Sequence, residues 1–198
     1  MSAFSHGFHP VFEGPRRPLF FIFVLASLSF FAGFFFHALV PLPGASIPVQ
    51  TASVRPVFSP GQSEPELLGL IGSAQRSIDV MLYEFSYAPL SQALGAAQAR
   101  GIPVRVLLDP DIGSNLYMAE TLVKSGVSVR WASKQYSATH AKFMVVDGKT
   151  VFVGSTNWSR HAMQLNREAA VSIENPAVAK SFDDVFESDW SIGETWKP

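Results

Sequence analysis

Residues 77–83 and 104–108 are short, apolar, β-branched runs of the kind that fill a buried strand. Between them Leu90, Ala93, Leu94 and Ala97 recur at helical spacing, and Gly101 stands where a helix C′ residue is expected. A strand, a helix and a second strand with short connections leave one regular arrangement, a right-handed crossover with the strands parallel in one sheet. The pattern extends both ways. Upstream, Ser63-Glu64-Pro65-Glu66 has capping-box spacing, and Leu67, Leu70, Ile71 and Ala74 follow on one helical face. Downstream the sequence predicts a helix over 115–124, strands over 127–131, 141–146, 150–153 and 169–173, and a hairpin turn at Asp147-Gly148. Asn175-Pro176 then opens a last helix carrying Val178, Phe182, Val185 and Phe186. The expected fold class is α/β, a mixed β-sheet flanked by helices over residues 54–198.

What precedes that domain is of another kind. Residues 19–40 are 22 positions with no formal charge other than His37, long enough as a helix to cross the hydrocarbon core of a bilayer. Arg16 and Arg17 stand just before the run, and the next basic residue is Arg55. The positive-inside rule then keeps residues 1–18 in the cytoplasm and puts the domain on the outer, periplasmic or extracellular, face. The run exceeds a signal-peptide core and Pro41-Leu42-Pro43-Gly44-Ala45-Ser46 is a poor cleavage site, so a retained transmembrane anchor is expected; cleavage would make the protein secreted. Residues 41–53 read as a Pro-rich linker, with Pro41, Pro43 and Pro48 inside it and Pro56 and Pro60 just beyond it all opposing regular structure.

The chain has no cysteine, which excludes disulfides, thiolate zinc sites, iron–sulfur clusters and a cysteine nucleophile. A net charge of −1 argues against strong, sequence-blind attraction of the whole molecule to polyanions. Of five histidines, only His140 and His161 fall in the domain.

His140 opens His140-Ala141-Lys142-Phe143-Met144-Val145-Val146-Asp147, the pattern H-x-K-x4-D. Strand alternation puts His140 and Lys142 on one face, where an imidazole and an ammonium can meet the same phosphate. Gly154-Ser155-Thr156-Asn157 follows the next strand, and Asn166-Arg167-Glu168 brings a carboxylate to the strand after that. With these elements the domain resembles the phospholipase D superfamily, and its small single-motif members in particular: the bacterial EDTA-resistant nucleases and the cardiolipin hydrolase group. Tyr83-Glu84-Phe85-Ser86 and Phe186 to Trp190 are also similar to the small nucleases.

That resemblance implies a phospholipase D-like sandwich and a metal-independent phosphodiesterase that needs no cofactor. His140 would attack phosphorus to form a phosphohistidine, and a second histidine would protonate the leaving oxygen. His161 has no lysine partner, so the second histidine is expected from another copy, in a homodimer with a shared site. Lys142, Ser155 and Asn157 would hold the phosphate, and Glu168 would accept a hydrogen bond from the imidazole. Asp147 completes the catalytic motif, although its turn position points to holding a loop. Glu84 ends a strand that points toward the site.

The substrate is less constrained. Residues 124–167 hold seven basic side chains, Lys124, Arg130, Lys134, Lys142, Lys149, Arg160 and Arg167, against one acid, Asp147. A positive rim of this kind suits a nucleic-acid backbone, and Trp158 could stack on a base, insert among lipid tails or pack in the core. Cleavage of DNA or RNA is the first expectation. Hydrolysis of membrane phospholipids, as by a phospholipase D or cardiolipin hydrolase, is the alternative that an anchor favours. A silent nucleic-acid or membrane binding module is the second.

Overall fold

In the computed structural model, which describes residues 51–197, eight strands form a single mixed sheet. In chain order they are β1 (Ser53–Ser59), β2 (Ile78–Leu82), β3 (Val104–Leu108), β4 (Ser128–Trp131), β5 (Lys142–Val146), β6 (Thr150–Gly154), β7 (Glu168–Glu174) and β8 (Glu194–Thr195). The helices are α1 (Ser63–Ser73), α2 (Ala88–Ala99), α3 (Gly113–Lys124), α4 (Arg160–Gln164) and α5 (Pro176–Ile192). Across the sheet the order is β1-β7-β6-β5-β2-β3-β4-β8. As expected, β2, α2 and β3 make a parallel crossover unit, and β4 adds parallel to β3; the remaining pairings are antiparallel.

Strands β2 and β5 lie at the centre, and every residue in both is buried. That explains why they read as unbroken apolar runs: a strand covered on both faces has no polar side to show. One face of the sheet packs Leu67, Leu90, Leu94, Leu122 and Met144 into the larger core. The other face packs Met81, Leu107, Phe143, Val145 and Val151 beneath Ala179 and Phe186 of α5. Helix α5 begins as the sequence predicts, with the Asn175 side chain accepting from the N–H groups of Ala177 and Val178.

Two expectations are corrected, and two features lie beyond what the sequence indicated. Pro56 lies inside strand β1, which is tolerated because β1 is the outermost strand beyond β7. The capping box at Ser63 does not form: Ser63 is already inside α1, and its buried hydroxyl accepts from Ser59 Oγ at 2.7 Å. Val185, on the last helix, is 52% exposed. The short α4 and the two-residue β8 have no counterpart in the sequence reading, being too brief to carry a periodic signal.

The expected membrane span over 19–40 lies outside the described residues. Among those described, no helix is long and apolar enough to cross a membrane.

Candidate active site

Register decides which residues meet. Leu82 at the end of β2 pairs with Lys142 at the start of β5, and Gly154 at the end of β6 pairs with Ala170 near the start of β7. His140, Lys142, Ser155, Asn157, Glu168 and Glu84 therefore gather at one end of the sheet, although they span 85 positions of sequence. A methyl at Gly154 would stand 2.4 Å from the Ala169 carbonyl oxygen, so only glycine lets β6 approach β7 so closely just before Ser155.

His140 is exposed, while Lys142 is only 8% exposed. The Lys142 ammonium donates to the His140 carbonyl oxygen at 2.9 Å and lies 3.2 Å from Nδ1 and 3.4 Å from Nε2 of the ring. An ammonium has only donors, so the ring nitrogen it bonds must offer a lone pair. The Tyr83 ring backs both groups, 4.4 Å from the imidazole centroid and 5.1 Å from the ammonium. Burial pushes the Lys142 ammonium below its usual pKa, and the nearby carboxylates of Glu168 and Glu84 oppose that shift without cancelling it.

The other expected residues surround this pair. Ser155 Oγ donates to Glu168 Oε2 at 2.5 Å, and Asn166 Nδ2 donates to Glu168 Oε1 at 3.1 Å. Glu168 thus binds Ser155 and Asn166 rather than the His140 imidazole, which departs from the expected contact. Asn157 Nδ2 donates to Glu84 Oε2 at 3.1 Å, and its Oδ1 is buried with no hydrogen-bond partner. Glu84 therefore belongs to the same cluster.

Asp147 is elsewhere. It sits with φ 59° in the β5–β6 turn, at the far end of β5 from Lys142. Its carboxylate accepts the backbone N–H groups of Gln75, Arg76 and Ser77, and its carbonyl accepts from the Arg76 guanidinium. Burial would raise its pKa, but those N–H groups and the Arg76 charge outweigh it and hold the carboxyl below its usual value. Asp147 fastens the loop before β2 and does not reach the His140 cluster. His161 lies exposed on α4.

One open reading is decided and one expectation changes. Trp158 is 1% exposed and packs edge-to-face on Phe85 at 5.0 Å, so it is a core residue. The seven basic residues do not make one rim. Lys124 pairs with Glu120, Lys134 with Asp111 and Lys149 with Glu174, while Arg130 lies over the Trp190 ring. Lys149 stands in the turn at the opposite end of the sheet.

The sequence reading missed Asp109 and Asn115. Asp109, 2% exposed, accepts the backbone N–H of Thr139 at 2.7 Å and of Asp111 at 2.9 Å. Asn115, fully buried, accepts from Phe85 N and donates to the carbonyls of Tyr83 and Asp109. Their one sequence signal is polarity at positions that follow or interrupt apolar runs. A cleft of about 420 Å³ opens beside the pair of His140 and Lys142, lined by residues 140–143, by Val153 and Gly154, and by Ser181, Phe182 and Val185 of α5. Among the described residues no group of histidine and carboxylate side chains is placed to hold a metal ion.

Residues 67–190 match the family described as cardiolipin synthase, PLD-like domain. The mitochondrial cardiolipin hydrolase of Xenopus tropicalis is 36% identical over 130 residues, covering 63% of this chain and 59% of that protein. The human protein of the same name is 32% identical over 156 residues, covering 78% and 62%. The chain thus spans less than two thirds of the length of these relatives. Among solved structures, the phospholipase D family member Nuc of Salmonella typhimurium superposes with a TM-score of 0.70 at 31% identity, covering 75% of this chain and all of that one. NucT of Helicobacter pylori, at 18% identity and a TM-score of 0.64, shares the fold. With its sheet order, its clustered His140 and Lys142 and this match across most of the described domain, the chain belongs to the phospholipase D-like family.

Proposed function

We propose that this protein is a metal-independent phosphodiesterase that works through a phosphohistidine on His140. The observation that carries the proposal is the buried Lys142 ammonium held against an exposed imidazole, because it joins a nucleophile to a fixed positive charge. A His140 ring nitrogen bonds phosphorus as the P–O bond to the leaving alcohol breaks. The proton for that alcohol comes from the His140 of a second copy, and water then cleaves the P–N bond to return the free imidazole. Lys142, Asn157 and Ser155 bind the non-bridging oxygens, Ser155 by turning its single O–H from Glu168 to the phosphate.

Nucleic acid is the first substrate, supported by the likeness to Nuc over that protein's whole length. Phospholipid is a second reading with its own observation: the cleft beside His140 is walled by Phe143, Val153, Phe182 and Val185, a surface suited to apolar chains. Residues 19–40 would serve as the membrane anchor, with residues 1–18 in the cytoplasm, 41–53 as tether and the domain on the outer face.

The test offers the full chain single- and double-stranded DNA, and vesicles of phosphatidylcholine with cardiolipin, in EDTA, beside a His140→Ala control. Acid-quenched protein is assayed for labelled phosphohistidine. Cleavage of DNA by the wild type alone upholds the nuclease reading; release of head group with DNA intact moves the substrate to lipid. Turnover that survives in His140→Ala overturns the mechanism.

A further inference from the structure

We infer that Asp109 and Asn115 form a clamp that sets the position of His140, making them positioning residues for whatever phosphodiester the site takes. His140 lies outside the ladder of β5, which starts at Lys142, so the sheet alone does not hold its imidazole. It is exposed, and a surface residue ahead of a strand has many rotamers open to it. Besides the Lys142 ammonium, which meets its carbonyl and its ring, two contacts narrow that freedom, one on the backbone of the residue before it and one on its ring.

Asp109 supplies the first. It directly follows β3 and takes the Thr139 N–H at 2.7 Å, which ties the residue before His140 to the end of a central strand. Both partners are buried, so water cannot replace the bond if it is lost. Asn115 supplies the second. It donates to the Tyr83 carbonyl at 2.9 Å and accepts from Phe85 N at 2.8 Å, which fixes the strand end that carries the Tyr83 ring. That ring stands 4.4 Å from the imidazole and blocks it from behind. The two halves are linked, because Asn115 Nδ2 also donates to the Asp109 carbonyl at 2.8 Å. One buried amide thereby joins the ends of β2 and β3, and one buried carboxylate passes that rigidity to the loop before β5.

Neither residue touches the imidazole, so their effect runs through Thr139 and Tyr83. Only an amide fills the place of Asn115, whose side chain accepts one hydrogen bond and donates two at once. An isosteric aspartate offers no donor for the two carbonyls. A misplacement of about 1 Å costs on the order of a hundredfold in rate.

The inference rests on His140 being the nucleophile, and the experiment separates the two ideas. Asp109→Ala, the milder Asp109→Asn and Asn115→Asp are compared with Asp147→Ala, which also loses side-chain bonds to backbone N–H groups but at the far end of β5. Each is made in the full chain and read in two ways well below its melting temperature: by kcat and KM, and by the imidazole NMR signals of His140 with His161 as internal reference. The clamp variants are expected to lose about tenfold to a hundredfold in kcat with KM within about twofold, and to shift or broaden the His140 signals alone. Asp147→Ala is expected to keep both. Clamp variants with unmoved His140 signals, or with a kcat no lower than that of Asp147→Ala, overturn the inference. A wild type without turnover whose His140 signals still move in the clamp variants upholds the clamp and overturns the proposed chemistry.

Discussion

The ammonium of Lys142 lies 2.9 Å from the carbonyl oxygen of His140 and 3.2 Å from its Nδ1, so one buried charge holds both the backbone and the ring of its neighbour. Burial keeps the Lys142 pKa below the ordinary 10.5. The charged form, which the phosphate needs, is therefore lost at a lower pH than in an ordinary lysine. Activity should fall on the alkaline side beginning below pH 10.5, and Lys142→Arg, whose guanidinium stays charged, should remove that limb at a reduced rate. The unfolded chain holds this proton more tightly than the folded one, so this group's contribution to stability rises as pH climbs from the folded pKa toward 10.5. A pH–rate profile of both proteins checks the first statement, and denaturant melts across that range check the second.

Asp147→Ala should cost about 2 kcal/mol of stability and leave kcat within about twofold, because charged hydrogen bonds to backbone are lost far from His140. Its folded pKa is depressed, so the stability it provides is complete above the ordinary carboxyl value of 3.8 and disappears as pH falls through the lower folded value. Urea melts at neutral and at stepwise lower pH measure both effects. A large loss of turnover in a well-folded Asp147→Ala would return this residue to the catalytic set.

Gly154→Ala should lose both stability and activity. The added methyl would meet Ala169 O at 2.4 Å and Ala170 Cα at 2.5 Å, backbone atoms that cannot turn aside. Overpacking of this kind costs about 1–3 kcal/mol. The strands must part where Ser155 and Asn157 are held, so kcat should drop with the melting temperature. Thermal melts and initial rates on the same preparation test this.

Ser155→Ala should separate the two quantities in the opposite sense. The side chain is exposed, so stability should change by less than about 0.5 kcal/mol. Glu168 loses its 2.5 Å donor, and the phosphate loses a proposed hydroxyl, so turnover should fall about tenfold or more. Unchanged turnover would remove Ser155 from the site.

Val185→Asp tests the substrate. Val185 is half exposed and lies in the wall of the cleft beside His140, so the variant should fold normally. If lipid tails occupy the cleft, hydrolysis of long-chain phospholipid should fall about tenfold while DNA cleavage stays within about twofold, each buried methylene being worth about 0.8 kcal/mol. An equal fall on both substrates would assign the cleft to a role common to both reactions.

The parallel unit of β2, α2 and β3, the hairpin at Asp147-Gly148 and the cap at Asn175 were all legible in the chain, because each rests on local periodicity or on a turn residue's own backbone preference. So was the nearness of His140 to Lys142, two positions apart, although His140 stands just ahead of β5 rather than within its ladder. Pro56 in β1 misled because a proline's cost depends on whether its strand is at an edge, which only the sheet order decides. The positive rim misled for a related reason: Lys149 and Lys134 are near His140 in sequence, but carboxylates from distant segments, Glu174 and Asp111, occupy them.

By itself, then, the sequence determined most of the elements, though not β1, α4 or β8, together with their alternation and the residue types able to attack and hold a phosphate. Only the tertiary structure decided that Asp147 stands apart from the motif it belongs to, that Glu168 binds Ser155, and that Asp109 and Asn115 reach the histidine's surroundings. Periodicity is a property of neighbours along one strand or helix. These contacts depend instead on register between strands and on which buried polar group finds its partner, Thr139 lying 30 positions from Asp109 and Tyr83 lying 32 from Asn115.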